Sequence, residues 1–441
     1  MVGEWLSQSL DGCMAAIIDY RGKTPTKTSF GIPLITAKVV KGGRIETPDE
    51  FIAVDDYELW MRRGIPKAGD VVITTEAPLG EVAQLGAERV ALAQRLITLR
   101  GKDGLLDNRF LKFLMQSENV QDQLRSRASG TTVLGIKQSE LRKILLTLPP
   151  IEEQHAIAHI LGTLDDKIEL NRRMNETLEA MARALFKSWF VDFDPVRAKA
   201  EGRDPGLPKQ IADLFPARLV ESELRKIPEG WEVATIGQVA EVIDCLHSRK
   251  PERQESGLPL LQLTNIRDDG LLDMTDTYLI NEENYRQWIS RMEASQGDCL
   301  ITNVGRVGAV AQIPAGQKAA LGRNMTGVRC RRDFPFPTVL IEALLSSAMK
   351  DEMTRKMDTG TILNALNVRN IPRLRFVKPT SDVLALFEQS CRPIRARMET
   401  LLANSCAIAD LRDTLLPKLI SGLLRVRDVD DFLERRQSLK G

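Results

Sequence analysis

The chain is poor in features that mark secreted, membrane-spanning and metal-binding proteins. Its 441 residues include six cysteines, none in a Cys-x-x-Cys pair, and only three histidines. This pattern argues against a zinc site or a disulfide framework and favours reduced thiols in a cytoplasmic protein. No apolar run is long enough to cross a bilayer, and the N-terminus lacks a basic region followed by an apolar core. Neither a membrane span nor a signal peptide is therefore expected.

Motifs for catalysis are missing as well. Gly22-Lys23-Thr24 resembles the end of a phosphate-binding loop, but Ile17 stands where the first glycine of that loop belongs. There is no methyltransferase Asn/Asp-Pro-Pro-aromatic loop, no helicase signature and no nucleophile–base pairing. His155 and His159 lack a third ligand at a spacing that suits a metal. We expect no catalytic residue and no metal site, although an enzyme with an unrecognised motif stays open as an alternative.

The stretch from Glu152 to Pro195 has the spacing of a long helix. Its seam positions alternate in steps of four and three residues: Ile157, Leu161, Leu164, Ile168, Asn171, Asn175, Leu178, Ala182, Leu185 and Trp189. This is the a/d seam of a coiled coil. At 1.5 Å per residue the seam spans roughly 50 Å, and Asp194-Pro195 is expected to end the helix.

A second seam lies near the C-terminus. Its positions are Leu384, Phe387, Cys391, Ile394, Met398, Leu401, Ser405 and Ile408. Because a long, narrow seam needs a partner, we expect the two helices to pair with each other, with Asn171 and Asn175 fixing the register. The alternative is two independent amphipathic helices, each packed on its own globular half.

Residues 1–150 and 228–380 are two copies of one sequence pattern. Three matched segments carry the likeness at a slowly drifting offset: Gly31 to Ile35 with Gly257 to Leu261, Gly69 to Thr74 with Gly297 to Thr302, and Gly80 to Gln84 with Gly308 to Gln312. Within each copy, short β-branched runs alternate with Gly/Pro turns, and one helical segment is expected at about Arg109 to Arg127. The pattern predicts a small mixed sheet with helices.

Positive charge is concentrated locally, although the formal net charge is only +1. Three stretches without an acidic residue, within residues 20–45, 299–332 and 369–378, hold six, six and four lysines and arginines. Such strips suit DNA phosphates, and nearby amide and guanidinium groups suit base edges. The candidate DNA-binding residues are Arg21, Lys23, Thr24, Lys27, Lys38, Lys41, Arg249, Lys250, Asn265, Asn303, Arg306, Arg323 and Asn324. A solvated surface remains the alternative for any one strip.

Several motifs together resemble the specificity subunit of type I restriction–modification enzymes, and the likeness covers nearly the whole chain. They are Pro149-Pro150-Ile151-Glu152-Glu153-Gln154, Lys167-Ile168-Glu169-Leu170-Asn171, the run from Leu185 to Phe193, Ile227-Pro228-Glu229-Gly230-Trp231, and the run from Leu415 to Gly422. The resemblance implies two target recognition domains, each reading half of a split DNA site. The second copy departs from the pattern at Thr380-Ser381-Asp382, which replaces the Glu152-Glu153-Gln154 entry of the first.

The resemblance also implies partners and cofactors. The expected partners are double-stranded DNA, two modification subunits that methylate adenine, and restriction/translocase subunits. No cofactor is expected in this chain, while the partner subunits would use S-adenosylmethionine, ATP and Mg²⁺. Candidate partner-binding residues are the aromatic cluster Phe186, Trp189 and Phe190, since aromatic side chains often anchor interfaces, and Leu415 and Leu416. An architectural coiled-coil adaptor without sequence readout is the alternative function.

The expected fold class is α+β, with two homologous mixed α/β target recognition domains separated by a long antiparallel two-helix coiled coil of pseudo-two-fold symmetry. The expected segments are 1–150, 151–195, 196–227, 228–380, 381–424 and 425–441: a first recognition domain, a central helix, a connector, a second recognition domain, a C-terminal helix and a tail. Helices of roughly 50 Å allow half-sites about one turn of DNA apart. Lys23 and Lys41 are expected at phosphates, and Arg323 and Asn324 at bases.

Overall fold

The computed structural model describes residues 5–20, 24–130, 132–359 and 364–429. The chain divides into two compact units. The first unit combines residues 1–168 with 407–441, and the second unit comprises residues 169–406. Each unit therefore holds one sequence copy and parts of both long helices. Within the described residues, no helix combines the length and apolar character needed to cross a lipid bilayer.

The first unit is built from short strands and helices. Its strands are β1 (Leu6–Ser9), β2 (Met14–Asp19), β3 (Ile32–Ile35), β4 (Val40–Lys41), β5 (Arg44–Ile45), β6 (Phe51–Ile52), β7 (Val71–Thr75), β8 (Leu79–Gln84), β9 (Ala91–Leu92), β10 (Leu96–Gly101) and β11 (Leu145–Leu148). Its helices are α1 (Leu10–Cys13), α2 (Tyr57–Trp60), α3 (Asn108–Gln116), α4 (Glu118–Arg127), α5 (Gln138–Leu141), the start of α6 (Ile151–Phe186) and a 3-10 turn at Val426–Asp428.

The second unit begins inside α6, which continues as a π-helix at Lys187–Asp192. Its further helices are α7 (Asp194–Ala200), α8 (Lys209–Ala212), α9 (Ile236–Val239), α10 (Glu282–Trp288), α11 (Pro337–Leu345), α12 (Ser347–Lys356) and α13 (Ser381–Ile420), with 3-10 turns at Leu263–Asn265 and Val368–Arg373. Its strands are β12 (Leu219–Val220), β13 (Ile227–Pro228), β14 (Glu232–Thr235), β15 (Ala240–Asp244), β16 (Leu258–Leu261), β17 (Tyr278–Ile280), β18 (Ala294–Ser295), β19 (Cys299–Thr302), β20 (Val310–Gln312), β21 (Lys318–Leu321), β22 (Met325–Cys330), β23 (Asp358–Thr359), β24 (Asn364–Ala365) and β25 (Arg375–Lys378).

The two copies share their sheet connectivity. In the first unit an antiparallel sheet has the order β2-β10-β7-β8, and a second sheet, β6-β3-β9, joins β3 and β9 in parallel. In the second unit the corresponding sheets are β15-β22-β19-β20 and β17-β16-β21-β18, with β16 and β21 parallel. The expected α+β class with two homologous mixed domains is thus confirmed.

A buried ion pair occupies the same place in both copies. Arg100 donates two hydrogen bonds, of 2.7 and 2.6 Å, to the carboxylate of Asp70, which is fully buried. Arg329 donates to Asp298 in the same way, at 2.9 and 2.6 Å. A buried carboxylate without its guanidinium would be strongly destabilising. The repeated Gly-Asp motif in the sequence therefore has a structural role.

The helical segment expected at about 109–127 is broken into two helices. Ser117 lies between α3 and α4 with extended backbone dihedrals, φ −65° and ψ 146°. Its hydroxyl donates to the carbonyl of Leu114 at 2.6 Å, which satisfies a group that continuation of the helix would have bonded. The second copy has the same break at Ser346, whose hydroxyl donates to the carbonyl of Ala343 at 2.7 Å.

The two long helices pair in the first unit. Leu161 of α6 and Leu415 and Leu419 of α13 are buried in one apolar cluster. Beside this cluster, the carboxylate of Asp165 accepts hydrogen bonds from Arg412 at 2.9 Å and from Lys112 at 2.5 Å. A carboxylate with two cationic partners reinforces the apolar seam and also ties it to helix α3.

The pairing is also present in the second unit. The side-chain amide of Asn171 donates to the hydroxyl of Ser405 at 3.2 Å, and that of Asn175 donates to the carbonyl of Met398 at 3.3 Å. Later residues of α6 contact earlier residues of α13, so the helices run antiparallel. Both asparagines are buried, and polar seam residues of this kind fix register. The expected paired seam is confirmed within each unit.

A buried arginine joins helix α13 to the globular part of the second unit. Arg395 is 3% exposed and donates to the backbone carbonyls of Asp269 at 3.2 Å and Gly270 at 2.8 Å. It also lies 3.4 Å from the carboxylate of Glu342 on α11. Burial raises the pKa of Glu342, although Arg395 opposes that shift. The loop after Ile266 is thereby fixed to the long helix.

Candidate functional site

The second copy contains a polar cleft beside the parallel pair β16 and β21. The cleft has a volume of about 400 Å³, and its lining residues are Lys250, Leu260, Gln262, Leu263, Trp288, Arg323 and Asn324. Three of the predicted DNA-binding residues, Lys250, Arg323 and Asn324, are thus brought together. Gln262 and Trp288 were not predicted from the sequence, although Gln262 directly follows the matched segment Gly257 to Leu261. The cleft combines two cationic groups, two amides and an aromatic ring.

The corner between β21 and β22, residues 322–324, positions the side chains of Arg323 and Asn324. A Cβ at Gly322 would lie 2.1 Å from the carbonyl oxygen of Leu261, so only glycine permits this close approach of the two strands. Asn324 adopts a left-handed backbone with φ of 66°, a conformation that asparagine tolerates better than most residues. Arg323 is exposed and has no ion pair within the described part of the chain. Its guanidinium is free to bind an external acceptor.

Asn303 and Asn265 are buried residues that support the backbone around the cleft. Their predicted role in DNA contact is therefore corrected. Asn303 is 7% exposed, and its amide donates to the carbonyl of Leu366 at 3.0 Å. Its backbone N–H donates to the carbonyl of Asn324 at 2.8 Å. Asn265 is 3% exposed; its side-chain oxygen accepts from the backbone N–H of Gln262 at 2.8 Å, and its amide donates to the backbone carbonyl of Asp273 at 2.7 Å. Buried amides engaged in this way position the cleft and have no free edge for a base.

The other cations of the second copy differ in availability. The ammonium of Lys250 lies 3.7 Å from the ring centroid of Tyr278, and burial together with Arg253 lowers the pKa of this lysine. Arg249 is exposed. Arg306 forms an ion pair with Asp268 and donates to the carbonyl of Ile266 at 2.5 Å. Lys250 and Arg249 are therefore better placed than Arg306 to contact phosphate.

Three lysines of the basic strip in the first copy form ion pairs with acidic residues at positions 46–50. Three lysines each lie near a carboxylate: Lys27 with Glu50 at 2.8 Å, Lys38 with Asp49 at 2.7 Å, and Lys41 with Glu46 at 3.5 Å. Exposed ion pairs of this kind contribute little stability, so the lysines can exchange a carboxylate for a phosphate. The hydroxyl of Thr24 donates to the side-chain oxygen of Gln94 at 3.3 Å. The predicted contacts Arg21 and Lys23 lie outside the described residues.

The predicted partner-binding aromatic residues are part of the core of the second unit. Phe186, Trp189 and Phe190 are 7%, 5% and 4% exposed. Their ring centroids lie 5.6, 6.0 and 4.9 Å from that of Phe387 on α13. Because these rings are almost entirely covered within the chain, they leave little surface for a partner, and their burial argues against the predicted docking role.

The two predicted partner-binding leucines also pack inward. Leu415 is 1% exposed in the apolar cluster of the first unit, and Leu416 is half-buried against the same cluster. Leu415 therefore stabilises the paired helices, and only Leu416 keeps part of its surface at the outside of α13.

One cluster with metal-ligand chemistry occurs near the cleft. The ligand atoms of Asp244, Cys245 and His247 lie within 4.8 Å of one another. The imidazole Nε2 of His247 is 2.8 Å from a carboxylate oxygen of Asp244, and Arg291 is 3.5 Å from the same oxygen. Burial raises the pKa of the Cys245 thiol, which disfavours the thiolate needed for metal binding. The cluster is explained by the contacts of Asp244 with His247 and Arg291.

Comparisons with known proteins all point to similar relatives. Residues 21–180 match the family model described as type I restriction modification DNA specificity domain. The chain is 25% identical over 371 residues to the type I restriction enzyme MjaIX specificity subunit of Methanocaldococcus jannaschii, covering 83% of this chain and 80% of that protein. It is 25% identical over 364 residues to the HindI specificity subunit of Haemophilus influenzae, covering 71% and 76%.

A solved structure shares the fold. The S subunit of a type I restriction–modification system from M. genitalium superposes with a TM-score of 0.53, covering 94% of this chain and 96% of that one, at 14% sequence identity. The repeated sheet order, the paired helices, the matched domain and the relatives agree with one another. Over most of its length the chain is therefore similar to type I restriction–modification DNA specificity subunits.

Proposed function

We propose that this chain is the DNA-reading subunit of a type I restriction–modification complex and that it recognises a bipartite, asymmetric site. The observation that carries the proposal is the polar cleft of the second copy, at which Lys250, Arg323 and Asn324 converge on a duplicated scaffold. Two related copies with different side chains suit two different half-sites.

The cleft has the donor and acceptor groups that base reading requires. An arginine guanidinium pairs with O6 and N7 of guanine, and an asparagine or glutamine amide pairs with N6 and N7 of adenine. Arg323, Asn324 and Gln262 supply these groups within one cleft. Lys250 supplies positive charge for a phosphate next to the bases, which sets position without reading sequence.

Catalysis is assigned to partner subunits. Two modification subunits would bind this chain and methylate adenine with S-adenosylmethionine, and restriction/translocase subunits would use ATP and Mg²⁺. The chain itself would hold no cofactor and perform no chemical step. With a formal net charge of +1, it has little long-range attraction for DNA, so most of the affinity would come from the assembled complex.

An architectural adaptor without sequence readout is not favoured. An adaptor needs the paired helices, but it has no use for an exposed arginine and a left-handed asparagine held at the rim of a cleft by buried amides. The likeness to specificity subunits also favours recognition over scaffolding alone.

Replacing Arg323 with alanine should relax recognition in one half of the target only. Loss of a bidentate base contact costs about 1–3 kcal/mol of discrimination. The measurement is a map of methylated adenines in DNA from cells that express the variant chain with its partner subunits. Arg332→Ala is the matched control, because Arg332 is an exposed arginine of the same basic strip outside the cleft. Equal relaxation in both halves, or an unchanged motif, would contradict the assignment of Arg323.

A further inference from the structure

The corner between β9 and β10 in the first copy is built like the corner between β21 and β22 in the second. Leu92, the last residue of β9, pairs in parallel with Ile35, and Leu321, the last residue of β21, pairs in parallel with Leu261. Residues 93–95 then lead into β10, and residues 322–324 lead into β22. The two corners therefore have the same length between equivalent strands.

The same backbone hydrogen bond closes both corners. In the second copy the N–H of Asn303 donates to the carbonyl of Asn324 at 2.8 Å, and in the first copy the N–H of Thr75 donates to the carbonyl of Arg95 at 2.9 Å. Thr75 ends β7, and Asn303 directly follows β19, the equivalent strand. Each of these residues also accepts a second backbone bond at its carbonyl, from Ile136 at 3.0 Å and from Leu366 at 2.9 Å. Gln94 thus takes the place of Arg323, and Arg95 takes the place of Asn324.

Both side chains of the first corner are available to an external partner. Arg95 is 50% exposed at its side chain and pairs with Glu76, which is 45% exposed, at 2.9 Å. An ion pair this exposed contributes little stability, so the guanidinium can leave it at small cost. Gln94 is half-buried, and its side-chain oxygen accepts from the hydroxyl of Thr24 at 3.3 Å. Its amide N–H₂ group has no partner within the described residues.

We infer that Gln94 and Arg95 are the base-reading residues of the first copy. The inference rests on the proposed function and extends it to a second site. Each corner carries one amide and one guanidinium, the groups that suit adenine and guanine respectively. Their order is reversed: amide then guanidinium at 94–95, guanidinium then amide at 323–324. Equivalent scaffolds with reversed chemistry give each half-site its own sequence, which makes the whole target asymmetric.

The test is a methylated-adenine map for complexes assembled with Gln94→Ala, Arg95→Ala or Arg95→Lys. Each variant should relax the half-site that Arg323→Ala leaves intact, with discrimination at one or two base pairs falling roughly 5- to 100-fold. Arg95→Lys keeps the charge but loses the bidentate fork, so it should relax the sequence while overall DNA affinity stays near that of the parent. Arg125→Ala, which removes another exposed arginine with an acidic partner, Asp122, should leave the motif unchanged.

The outcomes separate the two proposals. If the parent complex yields no interrupted motif, the proposed function fails. If the parent motif is present and the three corner variants preserve both halves, with thermal midpoints equal to the parent's, only the inference about Gln94 and Arg95 is overturned. Relaxation of the same half-site by Arg95→Lys and Arg323→Ala would overturn it as well.

Discussion

Replacing Leu401 with aspartate should unfold the second unit at a markedly lower temperature. Leu401 lies in the seam of α13 and is 2% exposed. An aspartate there would bury a carboxylate against the facing helix without a cationic partner, a change that costs about 3–5 kcal/mol. For a unit of this size each kcal/mol lowers the midpoint by about 2–4 °C. Calorimetry of the whole chain measures this loss.

The control for this experiment lies two residues away. Ala403 is exposed on the same helix, so Ala403→Asp introduces the same charge into water and should leave the midpoint almost unchanged. Equal midpoints for Leu401→Asp and the parent would contradict the paired seam in the second unit.

Replacing Phe190 with alanine should lower the thermal midpoint by a comparable amount. The result distinguishes a core residue from a partner-docking residue. Phe190 is 4% exposed, and its ring centroid lies 5.0 Å from that of Phe186 and 6.0 Å from that of Trp231. Truncating a buried phenylalanine removes apolar contacts and leaves a cavity, at a cost of about 3–5 kcal/mol. The thermal midpoint of the free chain should therefore fall before any partner is added.

Met181→Ala is the control for surface truncation. Met181 lies on the same helix with 53% exposure, and its loss should leave the midpoint within experimental error. A Phe190→Ala chain with the parent's midpoint but impaired assembly with the modification subunit would restore the docking role that burial argues against.

The seam and the repeat could be predicted because both are periodic. Steps of four and three residues place Ile157, Leu161 and Asn171 on one helix face whatever the rest of the chain does, and all three are buried there. The matching Gly-Asp segments likewise recur as equivalent ion pairs at Asp70 and Asp298. Local spacing determines these features, so no knowledge of distant contacts was needed.

Local spacing does not predict which polar residues support the fold and which are available to contact DNA. Asn303 and Asn324 both stand in loops beside basic residues, but the amide of Asn303 bonds to Leu366, 63 positions later. The aromatic residues near 190 could not be recognised as core residues in the same way, because Phe387, which covers them, is distant in sequence. Gln94 and Arg95 were missed because only the register of the strands on either side aligns them with Arg323 and Asn324.

The most direct test of DNA recognition by this chain is a map of methylated adenines in cells that express its partner subunits with and without it. Recognition by two different copies predicts a single interrupted, asymmetric motif that appears only when the chain is present. Arg323→Ala should relax one half of that motif and Arg95→Lys the other. Methylation at the same sites in the absence of the chain, or at an uninterrupted motif that no substitution in either corner alters, would contradict the account.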